Sequence, residues 1–600
     1  MKKSILLIAL MLLPLVASAE EVEIDGLWYN LDTNEKTAQV IQYKNNVKYS
    51  GDVVIPETVT DEEAILYSVT SIGTWAFTEC RDMTSIEIPS SVKNINGHAF
   101  QNCSGLTSIE IPNSLTIIDE AVFAGCTGLT SIEIPSSVTS IGTWAFEGCS
   151  GLTSIIIPSS VMSIENQAFS SCIGLTSISV ESGNTVYDSR DNCNAIIETA
   201  TNNLIAGCKN TIIPNGITSI GDYAFDGCSG LTSIEIPNSV TSIGECAFAD
   251  CSGLTSVNIP GGVTSIGVYA FYGCSSLTSI MIPSSVTNIG RGVLVLCSNL
   301  AFISVESGNP VYDSRDNCNA IIETATNNLI AGCKNTIIPN GITSIGDNAF
   351  FGCTGLTTIE IPNTVTSIGS GTFYYCSGLT SVIIPSSVTS IGKSAFCYCT
   401  GLTTIEIPNT MTSISNFTFE NCSGLTSVIV PSSVTSVGGA AFKGCTSLTD
   451  FYCYAESVPT TRTDTFKNSS CSSATLHVPE ASVESYQSAD RWKDFGNIVA
   501  LLSCAKPTIT QANGKLHFDC ETEGAELVPV VSFTQQQLIN GNELELGGTF
   551  TISVYAVKEG YINSEVATMV INMSQMGDAN ADGEINAADI TAVVNAILGK

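Results

Sequence analysis

Cys126-Thr-Gly-Leu129-Thr-Ser-Ile132-Glu133-Ile134-Pro135-Ser-Ser-Val138-Thr-Ser-Ile141-Gly142-Thr-Trp144-Ala145-Phe146-Glu-Gly148, followed at once by Cys149, is one unit of a pattern that fills most of this chain. The unit returns every 23 residues: Cys80, Cys103, Cys126, Cys149 and Cys172 keep the spacing, as do Cys228, Cys251, Cys274 and Cys297, and again Cys353, Cys376, Cys399, Cys422 and Cys445. A fixed period in the twenties marks a solenoid, because one short coil cannot bury its own apolar residues and has to stack on its neighbours. Within a coil, Leu106, Ile109 and Ile111 point inward from one strand and Pro112 ends it. Val138 and Ile141 begin the return side, and Ala145 and Phe146 close the core. Parallel strands lie about 4.8 Å apart, so about sixteen coils predict a rod about 75 Å long.

Two coils are expanded, at 180–208 and 305–333, and they are near-copies built on Val-Tyr-Asp-Ser-Arg-Asp-Asn-Cys-Asn-Ala-Ile-Ile-Glu-Thr-Ala-Thr-Asn-Asn-Leu-Ile-Ala-Gly-Cys. Each predicts a hairpin, Ala195 to Glu198 and Leu204 to Gly207 in the first copy, about a Thr/Asn turn. Such a hairpin is expected to project from the solenoid.

Around this array the chain has a definite order. Lys2-Lys3, an apolar run from Ile5 to Val16 and Ala17-Ser18-Ala19 have the layout of a cleavable signal peptide over residues 1–19. That run is too short to span a bilayer, no later one reaches about 20 residues, and no Cys follows the small-residue site as a lipid attachment point. Residues 20–70 predict an N-terminal cap and 71–449 the solenoid. Residues 450–503, with a short helix from Ser482 to Trp492, predict a C-terminal cap. Short alternating strands from 504 to 574, such as Lys515 to Phe518 and Thr551 to Tyr555, predict a small β-sandwich. The chain carries 56 acidic and 22 basic residues, a net charge of -34. That balance repels nucleic acid and anionic lipid, both of which need a basic footprint. The three histidines, His98, His477 and His517, stand far apart in the sequence, which argues against a His triad or a multi-His zinc site.

The motif Leu-Thr-Ser-Ile-x-Ile-Pro-x-Ser-Val-Thr-Ser-Ile-Gly-x-x-Ala-Phe-x-x-Cys closely resembles the BspA-like branch of the leucine-rich-repeat superfamily. The resemblance implies a leucine-rich-repeat stack of parallel β-strands joined by short 3-10 or helical turns. It also implies a surface or secreted bacterial adhesin or antigen with no enzyme activity of its own.

Twenty-four cysteines in a secreted chain invite a disulfide reading. The register argues for a buried ladder of free thiols instead, since stacked Cβ atoms near 4.8 Å exceed the roughly 3.8 Å that a disulfide prefers. Among the off-register cysteines, Cys504 and Cys520 flank a predicted hairpin about Asn513-Gly514 and are the best placed to pair.

Between the two inward Ile residues of each strand lies one outward position, held by Glu87, Glu110, Glu133, Glu235, Glu360 and Glu406 and elsewhere by Ile156, Met281 and Ile383. This stripe is the candidate contact surface for a host or microbial surface protein or glycan; its plain alternative is a solvated, solubilising ladder. Carboxylates in a repeated register single out no catalytic pair of the kind that glycoside hydrolysis needs.

One stretch carries metal chemistry. Asp578, Asn580, Asp582, Glu584, Asn586 and Asp589 occupy positions 1, 3, 5, 7, 9 and 12 of a loop with Gly583 at 6, where calcium needs oxygens around a turn that only Gly relaxes. Glu584 offers its backbone carbonyl. Ile590, Val593, Val594, Ile597 and Leu598 follow at helical spacing. The segment 577–600 resembles a type I dockerin repeat, an EF-hand-like loop and helix that implies Ca2+ as ligand and a cohesin as partner. Dockerins pair two such repeats, and this sequence holds one. The sequence therefore predicts a secreted, non-catalytic binding or adhesion protein, with a dockerin-borne component of an extracellular carbohydrate-active assembly, or a structural spacer, as alternatives.

Overall fold

The computed structural model describes residues 20–44, 48–512, 515–540, 543–558, 561–562, 564 and 566–572. The expected signal peptide and the calcium loop at 578–589 lie outside them. The chain divides into two units, Met1–Leu402 with Phe417–Ser423, and Thr403–Asn416 with Gly424–Lys600.

In the first unit the array begins with sheet rather than with a separate lid. Glu20–Ile24, Leu27–Asp32 and Thr37–Val40 pair antiparallel, and Leu66–Ile72 then joins Thr37–Val40 in parallel. Leu27, Tyr29 and Leu31 alternate inward along their strand, so residues 20–70 share the core of the first coils while covering their open end.

Most 23-residue coils then contribute two short parallel strands. Ser154–Ile157 pairs with Ser177–Val180, Ser154 opposite Ser177 and Ile155 opposite Ile178. On the return side Ser140 and Ile141 pair with Ser163 and Ile164. Leu152, Ile155, Ile157, Val161, Ala145, Phe146 and Cys149 are all buried, so the expected inward set is the observed one. Phenylalanines of successive coils stack face to face, Phe100 on Phe123 at 5.8 Å and Phe123 on Phe146 at 5.5 Å between centroids. Aromatic contacts of this kind add to the stabilisation from their buried area.

Small residues in the motif are set by the neighbouring coil. A Cβ on Gly267 would come within 2.4 Å of the Gly244 carbonyl carbon, so coils can stack this closely only where that position has no side chain. Exposed threonines tie the coils together: Thr153 Oγ1 donates to the Thr130 carbonyl and Thr176 Oγ1 to that of Thr153.

The expanded coils are hairpins, Ala195–Glu198 against Asn203–Gly207 and Ala320–Glu323 against Asn328–Gly332. They do not project. Asn203 and Leu204 pair in parallel with Ser219 and Ile220, and Ala195, Ile196, Ile197 and Leu204 are fully buried. Ile196, Ala206 and Cys208 pack into the core on the N-terminal side, whereas Ala195, Ile197 and Leu204 pack into the core that follows. Alternation along a strand sends successive side chains to opposite faces, and here both faces are apolar. Each hairpin is a septum across the solenoid, which explains why Ile196 and Ile197 are both aliphatic.

In the second unit, Thr404–Glu406, Ser427–Val430, Asp450–Cys453, Thr475–Val478 and Asn497–Ala500 form one parallel sheet. The ladder thus continues through 450–500 after the period is lost. Phe451 and Cys453, then Leu476 and Val478, keep the inward alternation that pairing requires. The only α-helix among the described residues, Val483–Ser488, lies inside the expected helical stretch. Trp492 is buried and donates its Nε1–H to the Pro459 carbonyl at 2.8 Å. Beyond it, Thr508–Ala512 pairs antiparallel with Lys515–Asp519, and Glu526–Asn540, Glu543–Val557 and Ala567–Asn572 form a three-stranded antiparallel sheet. Two of these strands have 15 residues each, longer than the alternation suggested. No helix of the described residues is long and apolar enough to cross a membrane.

Candidate functional site

The outward strand position recurs once per coil. Glu87, Glu110, Glu133, Glu235, Glu360 and Glu406 are all exposed, as the alternation requires. Pairing puts Val54 beside Glu87, Ile156 beside Ser179, Glu235 beside Asn258, Met281 beside Ser304 and Glu360 beside Ile383. In the second unit the same row runs from Glu406 through Ile429, Tyr452 and His477 to Val499. There His477 stacks on Tyr452 at 4.3 Å and its Nε2 lies 2.9 Å from Asp450 Oδ1, so this histidine belongs to the outward face as well as to packing.

Strand pairing lapses at Glu110 and Glu133, neither of which lies in an assigned strand. These two and Glu87 are glutamates in three consecutive coils, and neighbouring charges about 5 Å apart repel by roughly 1 kcal/mol even in water. Glu235, Glu360 and Glu406 pair with the neutral Asn258, Ile383 and Ile429, and the strand assignment lapses again at Ile212 and Ile337.

Two members of the row escaped the sequence reading. Ile212 and Ile337 stand 23 residues before Glu235 and Glu360, in the coils shortened by the hairpins, and are 73 % and 75 % exposed. The signal was there in Ile-Ile-Pro, which aligns on the proline with Ile-Glu-Ile-Pro. With Ile156, Met281 and the 82 % exposed Ile383 they intersperse bare aliphatic side chains among the carboxylates and small polar residues of the row. Isolated exposed aliphatics are ordinary, whereas these recur in one register.

The cysteines are structural. All twenty-four are free, and twenty-two are buried. In the regular coils each thiol donates to the carbonyl of the phenylalanine 26 residues earlier, Cys126 to Phe100 and Cys149 to Phe123 at 3.1 Å, Cys274 to Phe248 at 3.2 Å. Burial pushes the thiols of Cys149 and Cys274 up to about 12, far from the thiolate a nucleophile or metal ligand requires. Cys520 donates its thiol to the Ala505 carbonyl at 3.1 Å, so the pair expected to bridge Cys504 and Cys520 is unbridged.

One carboxyl is strongly perturbed. Asp226 lines a small cavity beside the first hairpin with Asn166, Ser170 and Tyr223, and burial raises its pKa to about 6, with Asp250 and Glu147 adding repulsion. Among the described residues, no group of three or more His, Cys, Asp or Glu side chains is placed to hold a metal ion.

The family model for the BspA type Leucine rich repeat region (6 copies) matches residues 70–197, 195–318, 325–449 and 367–489. The chain belongs to that family. A leucine-rich repeat protein from Bacteroides ovatus is 27% identical, the match covering 80% of this chain and 99% of that one with a TM-score of 0.33. A leucine rich cell surface protein from Faecalibacterium prausnitzii is 28% identical over 72% of this chain and 94% of its own, with a TM-score of 0.36. The pneumococcal vaccine antigen PcpA is 16% identical, covering 80% and 97%, with a TM-score of 0.32. No curated protein matches the chain. Leucine-rich-repeat proteins bind other proteins, and the BspA-type coil, with its interior filled by Phe and Cys, leaves the outward row as the part free to vary.

Proposed function

We propose that this chain is a secreted or cell-surface binding protein that uses the outward strand row to contact a host or microbial surface protein or glycan in adhesion, without catalysis. The observation that carries this reading is the single register that exposed Ile156, Ile212, Met281, Ile337 and Ile383 share with exposed glutamates. A ladder kept only for solubility gains nothing from isoleucine at its most exposed positions, whereas a contact surface gains desolvation from the aliphatic groups and orientation from the charges. The test is binding of the purified full chain to arrays of extracellular-matrix proteins and glycans beside an I212S/I337S/I383S variant. Loss of the captured ligand with unchanged melting supports the row; equal capture by parent and variant refutes it.

A second reading rests on the tail sequence. Asp578, Asn580, Asp582, Asn586 and Asp589, with the Glu584 carbonyl, would hold Ca2+, a hard cation that such an oxygen set suits. The bound ion would neutralise the crowded carboxylates and let the following apolar helix form. On this reading the tail docks the chain into an extracellular carbohydrate-active assembly through a cohesin.

A further inference from the structure

Every regular coil holds two residues in the left-handed region, one directly before Ala-Phe and one directly before the cysteine, and the sequence treats them differently. Over the thirteen such coils of the first unit, the position before the cysteine is filled as backbone sterics favour, eight times by Gly, Asn or Asp, for example Gly125, Gly148, Asn102 and Asp250. The position before Ala-Phe has Gly or Asn only three times, and Trp75, Trp144, Tyr223, Tyr269 and Phe417 hold five of the thirteen at φ between 54° and 60°. Aromatic residues make up 7% of the chain, so about one would be expected there. Bulky side chains at positive φ are strained and persist where something outside the local backbone keeps them. Within the fold Trp75 stacks on His98, Trp144 donates its Nε1–H to Gln167 and Tyr269 packs edge-on against Tyr272, yet Gly292 and Gly371 serve the same position without a ring.

These rings line the turn edge of the coils, away from the strand row. Trp75 is 51 % exposed and the other four are half-buried. Exposed acids stand directly before or within a coil of three of them: Asp222 precedes Tyr223, the Tyr223 hydroxyl donates to Glu245 at 3.2 Å, and Glu120 lies one coil before Trp144. The chain itself shows what such a ring accepts, for the Lys393 ammonium sits over the Phe417 ring at 5.0 Å. A face of aromatic rings and carboxylates on a chain of net charge -34 complements alkylammonium and guanidinium groups, which aromatic faces attract most once desolvated.

We infer that the aromatic column at the turn edge is a second binding surface, separate from the strand row, that takes the Lys and Arg side chains of a basic protein segment by cation–π contact. The test uses fluorescent decalysine and the full chain, with anisotropy read in about 0.5 M NaCl, where screening to about 4 Å suppresses long-range attraction. W75N/W144N/Y223N/Y269N should weaken binding at least tenfold while melting at the parent temperature or above, because Asn suits positive φ. W75F/W144F/Y223F/Y269F keeps the ring faces and should bind within threefold of the parent, as should E87Q/E110Q/E133Q on the strand row. The inference is overturned if the Asn variant binds like the parent, if the strand-row variant loses as much, or if neutral cellohexaose rather than decalysine is the ligand lost with the rings.

Discussion

Two adjacent isoleucines face different cores across the first hairpin. Ile196 and Ile197 are both fully buried in the same strand, yet Ile196 faces the core before the hairpin and Ile197 the core after it. Truncating either to Ala removes three carbons from a packed site, a loss of about 2–5 kcal/mol. In an array whose stability is set by nearest neighbours, that loss stays on the side the residue faces. Trp28, Trp75 and Trp144 all precede the first hairpin, and Trp492, the fourth tryptophan of the chain, can be silenced by Trp492→Phe in the parent and every variant. Urea unfolding followed by tryptophan fluorescence then reports the first coils alone, while far-ultraviolet circular dichroism reports all of them. Ile196→Ala should shift the fluorescence midpoint downward. Ile197→Ala should leave that midpoint nearly in place and destabilise a circular-dichroism phase that fluorescence does not see. Equal shifts of the fluorescence midpoint by the two variants, or shifts worth less than about 0.5 kcal/mol, would refute the partition.

Three further outcomes are expected. Native protein should react quickly with a thiol reagent at Cys246 and Cys520, the two half-buried cysteines, and at the remainder only on unfolding; Cys149→Ala should cost about 1–2 kcal/mol through the lost sulfur and its bond to Phe123. Asp226 has a folded pKa of about 6 against an ordinary 3.8, so the folded state takes up the proton first and stability rises as pH falls from 7 towards 5; Asp226→Asn should raise the melting temperature at pH 7 and flatten that rise, and an unchanged pH profile would sink the assignment. Calorimetric titration of the full chain with calcium, with magnesium as control, should show one site at millimolar affinity or better that Asp578→Ala/Asp582→Ala abolishes, and silence at millimolar calcium would remove the metal from the tail.

What the sequence made legible follows from its period. Leu106, Ile109, Ile111, Val138, Ile141, Ala145 and Phe146 are inward because a stack leaves them nowhere else, and the register of the repeated cysteines pointed to buried free thiols, as observed. The hairpin ends at Ala195, Glu198 and Gly207 were readable from the turn between them. Its placement was not, because alternation and length give a hairpin but not what covers its two faces; the clue was Ala195-Ile196-Ile197, apolar without alternation, which a projecting hairpin would have exposed. The sheet from 450 to 500 escaped for a related reason: strands 25 and 22 residues apart break the period while Phe451, Leu476 and Ile498 keep the pairing. Ile212 and Ile337 were hidden by the shortened coils that hold them. Asp226 carries no local signal, since its pKa comes from the cavity that the hairpin creates.

The same regularity locates function. A residue repeated in every coil answers to the stack, as the Cys, Phe and Gly columns do through the carbonyl, ring and backbone of the next coil. A column that changes from coil to coil is released from that duty, and two such columns on different sides of the coil carry chemistry the stack does not need. The strand row interrupts its glutamates with aliphatics, and the turn edge places rings where glycine would be easier. Both columns run along the coils at one side chain per coil. The duplicated expanded coils keep the return-side ladder paired across each hairpin, so the stack lengthens by whole coils there.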